Sequence, residues 1–439
     1  MKICFLGAGS TIFAKNILGD CILAPTLDSF DIALHDIDSQ RLDQSFSLIS
    51  ALNKKYGGKA TITAELNRKK ALENANFIVN AVQIGGYKPC TVTDFRIPRH
   101  YGLWQTIGDT LGIGGIMRAL RTLPFLDDCA SDIAEVCPNA LFLNYTNPMA
   151  MLTGHMLQYT KINAVGLCHS VQSCVPHLFG YLKMSDKLEG VKWDIYGINH
   201  QAWLVNVLDK DGNDLYPEIK ERSANWKMAP FQDRVRREVL NTFGYYVTES
   251  SEHNSEYMPY FIKSRYPELL LKYLIPLNEY PRRCRRQIRG WKWQSRRILS
   301  SEDNINHERS HEYGSRIIEA SVTNTPFTFH GSTLNTQGLI PNLPLEACVE
   351  VPITVDSAGF HPIPCNPLPE QCAAMNRTNI NVQLLTLKAH QTKEIRDIQL
   401  AAALDPHTAA ELSLSHIKSM CVALYKKHHK DGFLPEYRF

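Results

Sequence analysis

Residues 1–38 constrain the fold of this chain more tightly than any other stretch. Lys2-Ile3-Cys4-Phe5-Leu6 is a short apolar run that breaks into Gly7-Ala8-Gly9-Ser10, and Thr11 to Leu23 continues with apolar residues at helical spacing. A second apolar run, Phe30 to His35, is closed by Asp36 and Asp38. Strand, glycine turn, helix and acid-ended strand together make the opening unit of an open α/β fold that cradles a dinucleotide. In such a unit Gly7 makes the turn. Gly9 lets the backbone approach a pyrophosphate at the helix N-terminus, beside Ser10 and Thr11. The usual third glycine is Ile12 here, so the glycines alone say little. Asp36, 27 residues beyond Gly9, adds the chemistry. A carboxylate there accepts hydrogen bonds from ribose hydroxyls and repels a 2′-phosphate, which selects NAD over NADP.

The alternation continues down the chain. A helix over 39–55 precedes strand-like runs at 60–66 and 75–82, with a short helix between them. Asn80, Val82 and Gln83 close the fourth strand, where the ribose and nicotinamide halves of such a cofactor cross. A helix over 116–136 and strands within 139–148 and 162–170 complete a pattern that predicts a doubly wound, mostly parallel sheet. From Trp193 the residues alternate around Asp211-Gly212, a hairpin signal, so antiparallel strands begin. Helical spacing returns at 229–243, 254–273, 306–321, 378–404 and 411–428. The expected architecture is a Rossmann-type domain over 1–190, packed tightly on a mixed α+β domain over 191–439.

With 44% apolar and 21% charged residues and a net charge of +3, the chain has an ordinary globular composition. No run reaches the roughly eighteen apolar residues of a membrane span, and the N-terminal run is too short for a signal peptide, so a cytoplasmic protein without a membrane partner is expected. Twelve cysteines without Cys-x-x-Cys spacing read as reduced, mostly buried thiols. The basic residues concentrate only at 282–297, where eight arginines and lysines accompany two tryptophans. No second basic stripe joins them, which favours a solvated helix face or an anion-binding corner over a nucleic-acid surface.

Residues of metal-ligand type lie at predicted strand ends. Cys168-His169 follows the sixth strand, and Asn199-His200 follows Gly197-Ile198. That edge of an open α/β sheet is where ligands bind. One thiolate and one imidazole suit a borderline divalent ion with coordination positions left open, as a catalytic metal needs. A buried thiol and a satisfied histidine is the equal alternative. Asn144 to Pro148 adds amides able to grip sugar hydroxyls, and Gln105 to Gly115 is a glycine-rich polar loop long enough for an active-site loop or lid.

Taken together, GAGSTIF, DID, QIGGY, GDTLGIGGIMRALR, NYTNPMA, CHSV and GINH resemble glycoside hydrolase family 4, the NAD- and manganese-dependent glycosidases. QIGGYKPCTVTDF, GLCHSVQ, FGYYVTESSEHNSEY and PLNEYPRRC are similar to its melibiase branch, the bacterial α-galactosidases. The resemblance implies a fold related to lactate and malate dehydrogenases, and a chemistry outside the two-carboxylate scheme. NAD takes hydride from C3 of the galactosyl ring, and a base removes the acidified C2 proton while a manganese ion acts as Lewis acid. The aglycone then leaves C1 with help from an acid, water adds, and the hydride returns. Carried over residue by residue, Cys168 and His200 are the implied metal ligands and Asn147 an implied substrate contact. His169 stands where other branches place an aspartate acid, and Asp109 competes for that role. Tyr257 is the first candidate for the base and Glu252 the second. A tyrosine serves only if metal and cofactor charge depress its pKa, and a core aromatic is as good a reading of Tyr257. Arg283 is implied to be a general active-site arginine, and CHSV implies an unphosphorylated α-galactoside as substrate. A homodimer or homotetramer is expected.

Three rivals stand beside this. A 2-hydroxy-acid dehydrogenase would need an Asp-x-x-Arg and a histidine set for a carboxylate, and would leave Cys168 with His200 unexplained. An α-glucuronidase or α-galacturonidase of the same family would need a cation for the substrate carboxylate. A nucleic-acid-binding protein would rest on 282–297 alone.

Overall fold

Runs such as Ile3 to Leu6 and Phe77 to Asn80 are buried residue after residue, as strands covered by helices on both faces must be. The computed structural model describes residues 1–224, 229–299, 305–310 and 312–439. Six parallel strands open the sheet: β1 (Lys2–Leu6), β2 (Phe30–His35), β3 (Ala60–Glu65), β4 (Phe77–Asn80), β5 (Leu141–Asn144) and β6 (Asn163–Gly166). They lie in the order β3-β2-β1-β4-β5-β6, the strand order of a dinucleotide-binding fold, so the doubly wound α/β expectation holds.

The sheet then continues without a break as β10-β11-β7-β8-β9, with β12 on β11. These are β7 (Lys192–Ile198), β8 (Gln201–Leu208), β9 (Tyr246–Val247), β10 (Phe327–Leu334), β11 (Cys348–Asp356) and β12 (Gly359–Pro362). The seams are narrow. β6 meets β10 where Gly166 lies opposite Ser332, and β11 meets β7 where Glu350 lies opposite Gly197. Ser332 in turn pairs with Glu350, so Gly166, Ser332, Glu350 and Gly197 form one row across the sheet.

Several sequence expectations change here. β7 and β8 are joined by Asn199-His200, not by Asp211-Gly212. The alternation after Trp193 belongs to two strands, and their two-residue turn is completed by His200 at φ +65°. Gly212, at φ +87°, instead closes a small turn that returns Asp214 to Leu208. The helix expected over 254–273 is two helices, Ser251–Tyr257 and Glu268–Lys272, because Pro259 and Pro267 interrupt it. The helices expected at 229–243 and 306–321 are Arg234–Phe243 and Gly314–Thr323. The basic stretch lies in helix Glu279–Leu299, and the side chains of Arg296 and Arg297 fall outside the described residues. All twelve cysteines are free and ten are buried, with Cys168 and Cys365 half-buried. No described helix is long and apolar enough to cross a membrane. The C-terminal helices carry Ile398, Met420 and Leu424 against Ile113, Met117 and Leu120, which fixes helix Gly112–Val136 and the glycine loop that leads into it.

Candidate active site

At the end of β1 the chain turns at Gly7, whose φ is +84°; a Cβ there would meet the Ala81 carbonyl at 2.8 Å. A Cβ on Gly9 would meet Asp36 Oδ2 at 2.6 Å. Asp36 accepts the Gly9 N–H at 2.7 Å and the Asp38 N–H at 3.0 Å. Turn and acid are therefore pressed into a cradle with no room for side chains, which fits the pyrophosphate and ribose of a dinucleotide. Ser10 is exposed at the helix end, whereas the Thr11 hydroxyl is buried against Ser45 at 2.8 Å. Asn80 is buried; its Nδ2 donates to Asn144 Oδ1 at 3.0 Å, and its Oδ1 has no partner among the described residues. Thr146 donates to the Val82 carbonyl at 3.1 Å, and Gln83 is exposed.

Cys168 follows β6, His200 sits in the β7–β8 turn, and Glu249 follows β9. One ligand atom from each lies within 4.8 Å of the others. Glu249 is a residue that the sequence reading missed. His200 and Glu249 are both in left-handed backbone, at φ +65° and +64°, a conformation uncommon for residues other than glycine. Burial opposes ionisation of the Cys168 thiol, yet His200, by charge and hydrogen bond, holds it below its ordinary range. Burial likewise opposes the charge on His200, and Cys168 and then Glu249 raise it. Glu249 is brought down to about 2 against its burial, by His253 and His200. This is the donor set of a borderline divalent ion, with a proton that a metal would displace.

Spacing separates this cluster from another of similar composition. His200 Nε2 and Glu249 Oε2 are 3.5 Å apart. Asp127, His155 and His390 also converge, but their N–O distances are 2.6 and 2.7 Å. Two ligands each about 2.1 Å from one ion stand roughly 3 Å or more apart. The first spacing fits an ion; the second is that of N–H···O hydrogen bonds.

Tyr257 is 2% exposed and its hydroxyl lies 2.9 Å from His200 Nδ1. Burial pushes its phenol well above the usual value, and Asp109 and Glu249 add to the shift. His169 is half-exposed between Tyr145 and Tyr313, with Nε2 2.8 Å from Glu312, which raises its pKa against burial. Of the two expectations for the glycine-rich loop, an active-site loop or a lid, its burial does not fit an open lid. Gln105 to Gly115 is buried throughout. The Glu256 carboxylate accepts three successive backbone N–H groups, of Thr106, Ile107 and Gly108, the last two at 3.1 and 2.9 Å. The loop presents Asp109, which accepts the Thr110 hydroxyl at 2.8 Å and lies 3.9 Å from Arg118. Arg118 also donates to the Asn147 carbonyl at 3.0 Å and to the Tyr280 hydroxyl at 3.1 Å, and Asn147 Oδ1 is buried without a partner among the described residues. Glu252 and Arg283, named separately from sequence, form an ion pair. Besides Glu249, the sequence reading missed Arg118, Glu256 and Glu312. One signal was there to use: the acids of Glu249 to Tyr257 recur on a stretch that has no lysine or arginine.

A dinucleotide-type cradle and a thiol–imidazole–carboxylate cluster on one α/β sheet fit a nucleotide cofactor and a metal ion. The profile of "Family 4 glycosyl hydrolase" matches residues 2–184, and that of "Family 4 glycosyl hydrolase C-terminal domain" matches residues 195–408. The chain belongs to glycosyl hydrolase family 4. It is 55% identical over 437 residues to the alpha-galactosidase of Bacillus subtilis (strain 168), covering 100% of both chains. Its fold is similar to that of a 6-phospho-alpha-glucosidase from gut microorganisms solved in complex with NAD and Mn2+, with a TM-score of 0.83, 20% identity, and 100% and 99% of the two chains covered. It is also similar to malate dehydrogenase from Plasmodium falciparum, with a TM-score of 0.51, 12% identity, and 91% and 99% covered. The expected relation to that dehydrogenase fold holds.

Proposed function

We propose that this chain is an α-galactosidase that works with NAD and a divalent metal, Mn2+ by preference. The observation that carries the reading is the set Cys168, His200 and Glu249 beside Tyr257, in a chain that aligns end to end with an alpha-galactosidase. When bound, NAD supplies a reversible hydride acceptor, and the metal supplies a Lewis acid for the sugar oxygens. Everything else falls to the chain's own residues. Gly7, Gly9 and Asp36 hold the dinucleotide, and Cys168, His200 and Glu249 hold the ion. Tyr257 takes the C2 proton. His200 turns Nε2 toward Glu249, so Nδ1 meets the phenol, and an Nδ1–H donated to that oxygen favours the phenolate against its burial. His169, oriented by Glu312, gives a proton to the departing glycosidic oxygen, with Asp109 as the second acid. Asn147 Oδ1, buried and unpartnered, accepts a sugar hydroxyl. On this reading residues 1–190 bring the cofactor cradle, Cys168, His169 and Asn147, and residues 191–439 bring His200, Glu249, Tyr257 and Arg283.

The test is release of nitrophenol from its α-galactoside by protein stripped of cofactor and treated with EDTA. Activity should vanish and return only when NAD and Mn2+ are both restored. In heavy water the galactose should gain deuterium at C2, and Tyr257→Phe should suppress both turnover and that exchange. Full turnover by the stripped, chelated protein would end this reading.

A further inference from the structure

Arg283 is the cation that the sequence places at the substrate, yet it is already engaged. Its Nη2 donates to Glu252 Oε1 at 2.5 Å and its Nε to Glu279 Oε1 at 3.0 Å. Arg282 occupies the other oxygen of Glu279, at 3.0 and 2.7 Å. Glu252 is 2% exposed, and its Oε2 has no hydrogen-bond partner among the described residues. Its carbonyl accepts the Thr106 hydroxyl of the glycine loop. On the same short helix His253 faces Glu249 at 3.4 Å and Tyr257 touches His200. One turn before Cys284, Tyr280 touches Arg118, which holds the Asn147 carbonyl. Glu252 thus belongs to the wall that carries the metal centre and the candidate sugar contacts.

A buried carboxylate oxygen without a donor is costly unless something brings one. An uncharged hexoside brings hydroxyls. A sugar with a carboxylate or phosphate at C6 brings a second negative charge and finds Arg283 held by two carboxylates, and Arg118 held by Asp109 and the Asn147 carbonyl. We propose that Glu252 accepts a hydroxyl of the galactosyl ring and, with Glu279, withholds Arg283 from anions, so that the site takes neutral α-galactosides and refuses galacturonides. The proposal rests on the α-galactosidase reading and adds the source of its selectivity.

Glu252→Gln and Glu252→Ser are the variants of choice, because Arg283 keeps Glu279 and no lone buried charge is created. With NAD and Mn2+ present, kcat/KM is measured on the nitrophenyl α-galactoside and α-galacturonide, and binding of free galactose and galacturonate is followed by calorimetry. The galactoside value should fall at least about tenfold, mainly through KM, while the galacturonide-to-galactoside ratio rises at least about tenfold and galacturonate binds more tightly than to wild type. An unchanged ratio with unchanged galacturonate binding overturns the proposal. So does loss of kcat and of C2 exchange on both substrates alike, which would make Glu252 the base. Failure of the underlying reading shows separately, as a wild type that hydrolyses no α-galactoside. Calorimetry then still decides the selectivity: wild type binding galacturonate as tightly as galactose refutes it.

Discussion

Cys168 is the residue on which the metal reading is easiest to break. It is half-buried at the end of β6, and a serine there keeps the shape but offers a hydroxyl in place of a thiolate, a far weaker ligand for a borderline ion. Cys168→Ser should therefore leave the melting temperature of the metal-free protein nearly unchanged while weakening Mn2+ binding at least about tenfold, as read by electron paramagnetic resonance. Equal Mn2+ affinity would return Cys168 to the buried thiols. The sequence named Cys168 and His200 but not Glu249. A cysteine and a histidine beside strand ends announce themselves, being rare and chemically distinctive. A glutamate among other acids does not, and only its meeting with His200 and His253 singles it out.

At the scale of elements, the helix Ser251–Tyr257 and the loop Gln105 to Gly115 act as a pair. Every residue of that helix is buried, acids included. Glu256 explains how: its two oxygens are met by three loop amides. Burial pushes its carboxyl up to about 7, and the amides offset only part of that. A glutamate raised from about 4.3 binds its proton more tightly in the fold than in the open chain. Its contribution to stability is thus fullest at low pH and falls as pH rises toward about 7, then levels. Glu256→Gln should remove that slope between about pH 5 and 7, seen in melting curves across pH. It should also cost about 1–3 kcal/mol, because an amide NH2 must face a backbone N–H. A slope equal to wild type would refute the assignment. The sequence showed a long, polar, glycine-rich loop and suggested an active-site loop or a lid; length and composition do not report the distant carboxylate that pins it.

At the scale of the whole molecule, the parallel half was legible because each of its strands pairs with a neighbour made by the same local βα rhythm. The antiparallel half was not. β10 and β11 carry no hairpin signal at the place where they enter the sheet, and their outer partners β6 and β7 lie far back in the chain. β6 and β7 follow each other closely in sequence, yet in the sheet two strands stand between them. That gap is about 14 Å, three strand spacings. Cys168 and His200 meet over the row of Gly166, Ser332, Glu350 and Gly197, and burial pushes the carboxyl of Glu350, in the middle of that floor, well above its usual range.

That row sets a timetable for synthesis. A ribosome that has just made Glu249 has delivered all three ligands, but the two strands that set their separation are still unmade. On the proposed reading, the nascent protein has a nucleotide cradle and an unfinished metal centre until Asp356 emerges, with Cys168 not yet held at its distance from His200 and Glu249. A chain ended at Asn324 should accordingly bind no Mn2+ at concentrations that saturate the full-length protein, although it contains Cys168, His200 and Glu249. Tight Mn2+ binding by that fragment would mean that the ligands find one another without their floor.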